Sequence, residues 1–410
     1  MKKFLTLFVL IVLTGISKSN ATDIVVEEFG LSPAYPTITD AVNAASDGDR
    51  IIIKNRAGNI PWIENITVTK SLEFLPFEND TFFVVQGNYS INLTTGKTVT
   101  FIGMKNTSGS IVYGGGATGL KTSTLNIYGC YLLSGYVDMG TSAYTVNVVH
   151  TQFDAGNIHA YFGSVIGCDI HSSSNRAILF NSASGGGNDT IAIIGNNINM
   201  LTSSYEAIYV NSTTSRLHIR NNMIRHRNIG IYLYGLGIGY NLIYNNTIQA
   251  YSTSTTTYGI YITNIQTAAI CEVMNNLIDY TSTGNTYGIY NGGGNQGTTN
   301  IYYNHVETAM TTPILTGWTF SGNNTTTSAV TLQSDLRPAV GSAAVDNGNP
   351  AAPYYDLDLS TGDPGAYGGS YTIDNFFPIY YGAARVFLST YPFNVRQGNT
   401  LNIKATSYDR

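Results

Sequence analysis

The chain has 410 residues, of which only 11% are charged, well under half the usual share. Disorder is excluded all the same, because a hydrophobic fraction of 43% can fill a core. A net charge of −5 argues against nucleic acid and anionic membrane surfaces as partners, and three cysteines are too few for a disulfide framework.

Met1-Lys2-Lys3, the apolar run Phe4–Leu13 and the small residues Ser19-Asn20-Ala21 have the layout of a secretory signal peptide over residues 1–21. The run is too short for a membrane span, and no later stretch reaches the length of one. The mature chain is therefore expected to be exported, secreted or held at the cell surface. No cysteine follows the apolar run, which argues against a lipid anchor there. Tyr35–Ala45 reads as a short amphipathic helix with Thr37 as its N-cap, followed by a turn at Asp47-Gly48-Asp49 and a strand over Arg50–Lys54.

From there the chain repeats. Gly-Ile-Tyr recurs at Gly230-Ile231-Tyr232, Gly259-Ile260-Tyr261 and Gly288-Ile289-Tyr290, at intervals of 29 residues. Paired asparagines recur at Asn221-Asn222, Asn245-Asn246 and Asn275-Asn276. A period of this size implies a solenoid, in which each coil buries its apolar face only by stacking on its neighbours. Aligning the coils gives an inward apolar column of Phe153, Ile170, Ile198, Ile224, Ile248, Ile278 and Val306. Two residues earlier stand Thr151, Cys168, Asn196, Asn222, Asn246, Asn276 and Asn304, on the same inward face. Stacked inward asparagines are expected to form an amide ladder. The Ile of each Gly-Ile-Tyr faces inward and the Tyr outward, with the Gly making the turn into the strand. Coil lengths vary, and strands must stay in register, so the variation belongs to the turns. Cys130 and Cys168 share the inward column with Thr151 between them, so at about 4.8 Å per coil they stand roughly 10 Å apart, beyond disulfide reach. Core thiols are expected.

The opening Thr37-Ile38, Ala41-Val42, Ala44 and Gly48-Asp49 before a strand resembles the N-terminal signature of right-handed parallel β-helix proteins of the pectin-lyase-like superfamily. Leu336–Gly348, with Asp356, Asp358 and Asp363–Gly369, is similar to the closing segment of bacterial secreted or surface β-helix proteins. The resemblance implies an all-β fold, a right-handed single-stranded parallel β-helix of ten or eleven coils over residues 22–335, with an N-terminal capping helix. It also implies a C-terminal capping segment over 336–370 that ends the helix. Residues 371–410 read as a connector and an incomplete β-sandwich-like segment, so the sequence reads as part of a longer surface protein. The resemblance is specific for fold rather than activity, because the superfamily mixes lyases, hydrolases, epimerases and adhesins. The Asn-Thr-Asp, Asp-Asp and Gly-His-Gly strings of the polygalacturonase type are missing.

Five groups of residues could carry function. The position after the inward Ile points outward and reads Asp154, His171, Asn199, Arg225, Gln249, Asp279 and Glu307, a polar strip suited to sugar hydroxyls, although water alone requires polarity there. Tyr209, Tyr232, Tyr261 and Tyr290 form a second outward column that could stack on pyranose faces or simply support the sheet. Arg220, Arg225, His226 and Arg227 crowd one region and are the best candidates for lyase chemistry on a uronate polymer, although a solvated basic face is the account the alternation favours. Asp279 and Glu307 are neighbours on adjacent coils that could hold Ca²⁺, form an acid–nucleophile pair or simply be two solvated groups at turn edges, and Asp356, Asp358 and Asp363 have a Ca²⁺-like composition that also suits a turn-forming cap. No cofactor is implied beyond Ca²⁺ as an open alternative.

The reading favours an exported, monomeric, non-catalytic protein that presents these strips to polysaccharide or a cell-surface glycan. A polysaccharide lyase or hydrolase and a structural stalk are the alternatives.

Overall fold

The computed structural model describes residues 21–377 apart from short segments at 79–80, 117–122, 141–143, 173, 183–189, 201, 203, 252–255, 282–283, 329 and 370–371, together with 385–390, 400 and 404–408. The expected signal peptide lies outside the described residues, save Ala21. The chain winds through about ten turns of a parallel β-solenoid, each turn giving one strand to each of three stacked parallel sheets. The first sheet has 13 strands and starts at Asp23–Val26; the second has 12 and starts at Trp62–Ile63; the third has 11 and starts at Ile66–Val68. The helix spans Ile38–Ala44, with Thr37 Oγ1 accepting from the Asp40 N–H at 3.0 Å. Glu64 accepts the Ile38 and Thr39 amides at 2.9 and 2.8 Å, so the helix's free N–H groups are met from the next coil. Its Ile38, Ala41 and Val42 close the N-terminal end of the core.

The inward columns fall as the repeat dictates. Ile170, Ile198, Ile224, Ile248, Ile278 and Val306 are aligned in the second sheet, and all are buried. The amide ladder is present. Asn196 Nδ2 donates to Asn222 Oδ1, Asn222 to Asn246, Asn246 to Asn276 and Asn276 to Asn304, each at 2.9 Å. It runs one rung further than the sequence alignment, to Asn324 at 3.0 Å. At its other end Asn196 Oδ1 accepts the Cys168 N–H at 2.8 Å, and Thr151 Oγ1 that of Cys130 at 3.3 Å.

The first member of each Asn pair has a different task. Asn221, Asn245 and Asn275 all sit at φ 52°, the left-handed conformation that turns the chain from the first sheet into the second. Earlier coils place Gly103, Gly129, Gly167 and Gly195 there, at φ 55–64°. Asparagine tolerates this region better than other side-chain-bearing residues.

The glycine of Gly-Ile-Tyr differs from the sequence expectation. Gly230, Gly259 and Gly288 lie inside the strands Ile229–Tyr234, Thr257–Thr263 and Thr286–Asn291 rather than at a turn into them. A Cβ on Gly259 would stand 2.7 Å from the Gly288 carbonyl oxygen and 2.8 Å from Ile278 Cγ2. The glycine is therefore a packing residue, leaving room for the isoleucine column of the opposing sheet. Gly and Ile are both buried, so the outward side resumes three residues on, and Tyr258 and Tyr261 emerge on one face with ring centroids 5.0 Å apart.

Residues 330–377 turn back along the flank of the solenoid. The Asn349 amide donates to Asn275 Oδ1 at 2.9 Å and the Gly365 amide to the Asn275 carbonyl at 2.8 Å. Asn245 Nδ2 reaches the Asp363 carbonyl at 3.0 Å, and Asn221 Nδ2 those of Ala366 and Gly368 at 3.2 Å. The Phe376 ring then lies over Gly195, where an added Cβ would come within 2.2 Å of it. This strap thus crosses coil after coil along the corner between the first two sheets. Beyond it, Arg385–Thr390 pairs antiparallel with Lys404–Tyr408.

Candidate functional site

The outward strip of the second sheet is in register: Asn199 lies beside Arg225, Arg225 beside Gln249 and Gln249 beside Asp279. Its groups are engaged with one another and with the strap. Gln249 Nε2 donates to Asp279 Oδ2 at 2.7 Å, and Glu307 accepts the Ala309 amide at 3.1 Å. Gln249 and Glu307 are buried. Arg225 donates to the Ser334 carbonyl of the strap at 2.6 Å. Strap residues also cover the adjoining outward column, with Leu336, Ala366 and Ile373 on Met223, and Val330 and Ala344 on Leu277. At the uncovered end Asp154 accepts from Gln152 at 2.7 Å and from the Tyr131 hydroxyl, and His171 lies 3.4 Å from Asp169. Hydrogen bonding to Asp169 raises the His171 pKa.

The basic region does not converge. Arg220 projects from the first sheet, donating to the Tyr244 hydroxyl at 3.1 Å. Arg225 projects from the second, within the strand Met223–His226 rather than at the turn after it. His226 points into the core, fully buried, and burial drives its pKa down to about 3, against a weaker pull from the Asn228 backbone. Arg227 is exposed at the next turn. A neutral imidazole sealed inside the solenoid cannot reach a substrate bound outside.

Asp279 lies beside Glu307, but its carboxylate is occupied by Gln249, and burial raises its pKa. Asp356 accepts backbone N–H groups from Asp363 and Gly369, and Asp363 accepts that of Asp346, so these acids fasten the strap's loops. Among the described residues no group of three or more His, Cys, Asp or Glu side chains is arranged to hold a metal ion.

The third sheet presents a different surface. Tyr209, Tyr232, Tyr261 and Tyr290 are aligned in register, with centroids 5.0, 4.9 and 5.0 Å apart. The first two pairs meet edge to face and the third is tilted by 31°. Sequence alignment missed a second row: Tyr258 and Tyr287 stack at 5.1 Å and 16°, each within 5.1 Å of Tyr290. Their common offset of three residues before Tyr261 and Tyr290 was a visible signal, obscured by strict two-residue alternation. Beside the row run Asn181 and Asn211, joined at 3.1 Å, and Tyr234. The four aligned tyrosines are half-buried, the strap's hydrogen bonds fall on the other two sheets, and burial raises the Tyr232 pKa to about 12. Burial shifts Tyr209 and Tyr261 in the same direction.

The three stacked sheets and the lumenal amide ladder define a parallel β-helix, and among the described residues the strap's contacts leave the aromatic face of the third sheet open. No protein-family model, curated protein or solved structure matches the chain, and no described helix is long and apolar enough to cross a membrane.

Proposed function

We propose that this is an exported, non-catalytic β-helix protein of the pectin-lyase-like type that binds polysaccharide through the tyrosine face of its third sheet. The observation that carries this reading is the register of Tyr209, Tyr232, Tyr261 and Tyr290 at about one ring per 5 Å on a face the strap leaves open. Tyrosine combines an apolar face for sugar C–H groups with a polar tip for hydroxyls. The polar strip of the second sheet is the weaker candidate, since its groups from Arg225 onward already bond one another, the strap or nearby backbone. The dispersal of Arg220, Arg225, His226 and Arg227 over two sheets, the core and a turn speaks against the lyase alternative. Export is supported by the N-terminal sequence pattern alone.

A panel of immobilised plant, algal and bacterial polysaccharides tests the reading. Binding is expected to at least one of them and to weaken in Tyr232→Ala and Tyr261→Ala. Absence of binding across the panel, or binding that both variants retain in full, would overturn it.

A further inference from the structure

The tyrosine face has a charge pattern as well as a spacing. No Lys or Arg occurs between Arg227 and Arg337, so the coils carrying Tyr258, Tyr261, Tyr287 and Tyr290 contain no cation. The strands of the third sheet in those coils, Thr257–Thr263 and Thr286–Asn291, also lack acidic residues. At the other end of the row Arg176 is committed, with Nε 2.7 Å from Glu206 Oε2 and its guanidinium 4.7 Å from the Tyr209 centroid. Arg216 and Arg220 belong to a strand of the first sheet, so among the described residues Arg227, exposed at the turn before Ile229, is the cation left for this face.

A uronate polymer carries a carboxylate on every sugar and needs a cation at about every coil to balance it. Desolvating those carboxylates against uncharged tyrosines would be unfavourable. A neutral chain meets no such penalty. The spacing adds a second constraint. Rings repeating at 4.9–5.0 Å along the solenoid axis match a ligand that advances by about one strand spacing per sugar. Extended chains of equatorially linked pyranoses do so, whereas α-linked glucans coil and fall out of step. Building on the polysaccharide reading above, we infer that the ligand of this face is a neutral, extended β-1,4-linked glycan lying parallel to the solenoid axis. Its C–H faces rest on the tyrosine rows and its equatorial hydroxyls meet the flanking Asn181 and Asn211.

Calorimetric titration of the full chain with mannohexaose, cellohexaose, maltohexaose and hexagalacturonate tests the assignment. One of the β-1,4-linked neutral hexamers is expected to bind tightest, with an affinity that rises from dimer to hexamer and is insensitive to salt. Tyr261→Ala should weaken it roughly three- to tenfold, and Tyr261→Phe, which preserves the packing, should weaken it less. Arg227→Gln should leave it unchanged. Hexagalacturonate binding as tightly, with salt sensitivity and dependence on Arg227, would overturn the neutral assignment while leaving the face a glycan site. Maltohexaose binding as tightly would overturn the extended one. If neither these four nor the wider panel bind, the polysaccharide reading itself falls.

Discussion

Asn222 Oδ1 accepts two hydrogen bonds from Asn196, one from its backbone N–H at 3.0 Å and one from its side-chain Nδ2 at 2.9 Å. The same double bond joins each later rung to the next, so every inner amide serves as acceptor for one coil and donor to another. The ladder thereby pins the corner between the first and second sheets inside a largely apolar lumen. A buried amide in such a column is fully satisfied only while both neighbours are present.

Asn246→Ala should therefore be strongly destabilising. It strips the acceptor from the Asn222 N–H and Nδ2 and the donor from the Ile219 carbonyl and Asn276 Oδ1. A loss of about 2–4 kcal/mol is expected from buried groups left unpaired. The terminal rung Asn324 is only partly buried, so Asn324→Ala should cost less than half as much. Denaturant unfolding midpoints of the two variants check the ranking; equal costs would show that the ladder carries no cooperative load.

Gly259→Ala should also destabilise, although its backbone conformation is ordinary. The added methyl would meet the Gly288 carbonyl oxygen at 2.7 Å and Ile278 Cγ2 at 2.8 Å, and neither backbone nor a packed isoleucine gives way easily. A cost of roughly 1–3 kcal/mol is expected from overpacking. Gly341→Ala is the contrast, with open space around its Cβ and a cost set only by its φ of 83°. Thermal unfolding of both variants separates the two causes.

The repeat made the solenoid legible because each coil states its own inward and outward positions over a few residues. Ile224, Ile248 and Ile278, the ladder of Asn222, Asn246 and Asn276, and the tyrosine column all follow from that local pattern. The αL role of Asn221 was hidden, because Asn-Asn reads as two copies of one residue rather than a turn followed by a rung. The strap's track was equally illegible. It is held largely by Asn221 and Asn245 side chains on backbone carbonyls more than a hundred residues away, and a carbonyl acceptor leaves no mark in the sequence. For the same reason the polar strip looked open from Arg225 onward when its groups are already engaged.

The strap carries a pH-dependent element at Asp356. Burial, reinforced by the charges of Asp363 and Asp358, raises its pKa from 3.8 to about 6, despite the opposing N–H groups of Gly369 and Asp363. Asp363 is shifted in the same direction, again mainly by burial. An acid whose pKa is higher folded than unfolded binds more protons in the folded state, so its contribution to stability falls as pH rises between about 4 and 6 and is level above. His305, which contacts the Asn347 carbonyl at 3.0 Å, works in the opposite sense because burial lowers its pKa. A difference measurement isolates Asp356. Relative to the wild type, Asp356→Asn should gain stability as pH rises from about 4 to 6, and the difference should vanish at lower pH. Unfolding midpoints of the pair between pH 3.5 and 8 provide the test, and a pH-independent difference would remove Asp356 from the account.

Cys130, Cys168 and Cys271 are all free and fully buried. Burial pushes the Cys168 thiol up to about 12, and that of Cys271 well above its ordinary range. The thiolate is the reactive form, which Cys168 and Cys271 are held from, and none of the three has the access to react. Cys130 Sγ instead accepts a hydrogen bond from the Met104 amide at 3.4 Å, taking a place in the same column as the asparagines. The native protein should therefore consume no thiol reagent at pH 8, and three equivalents once unfolded in guanidinium. Titration with an aromatic disulfide under both conditions reads the result. Slow reaction of one equivalent in native buffer would report local opening of a coil, and Cys130 is the thiol to look for first. Its Thr151 neighbour bonds it at 3.3 Å, against 2.8 Å for Asn196 on Cys168, so the column is most weakly tied where asparagine gives way to threonine and sulfur.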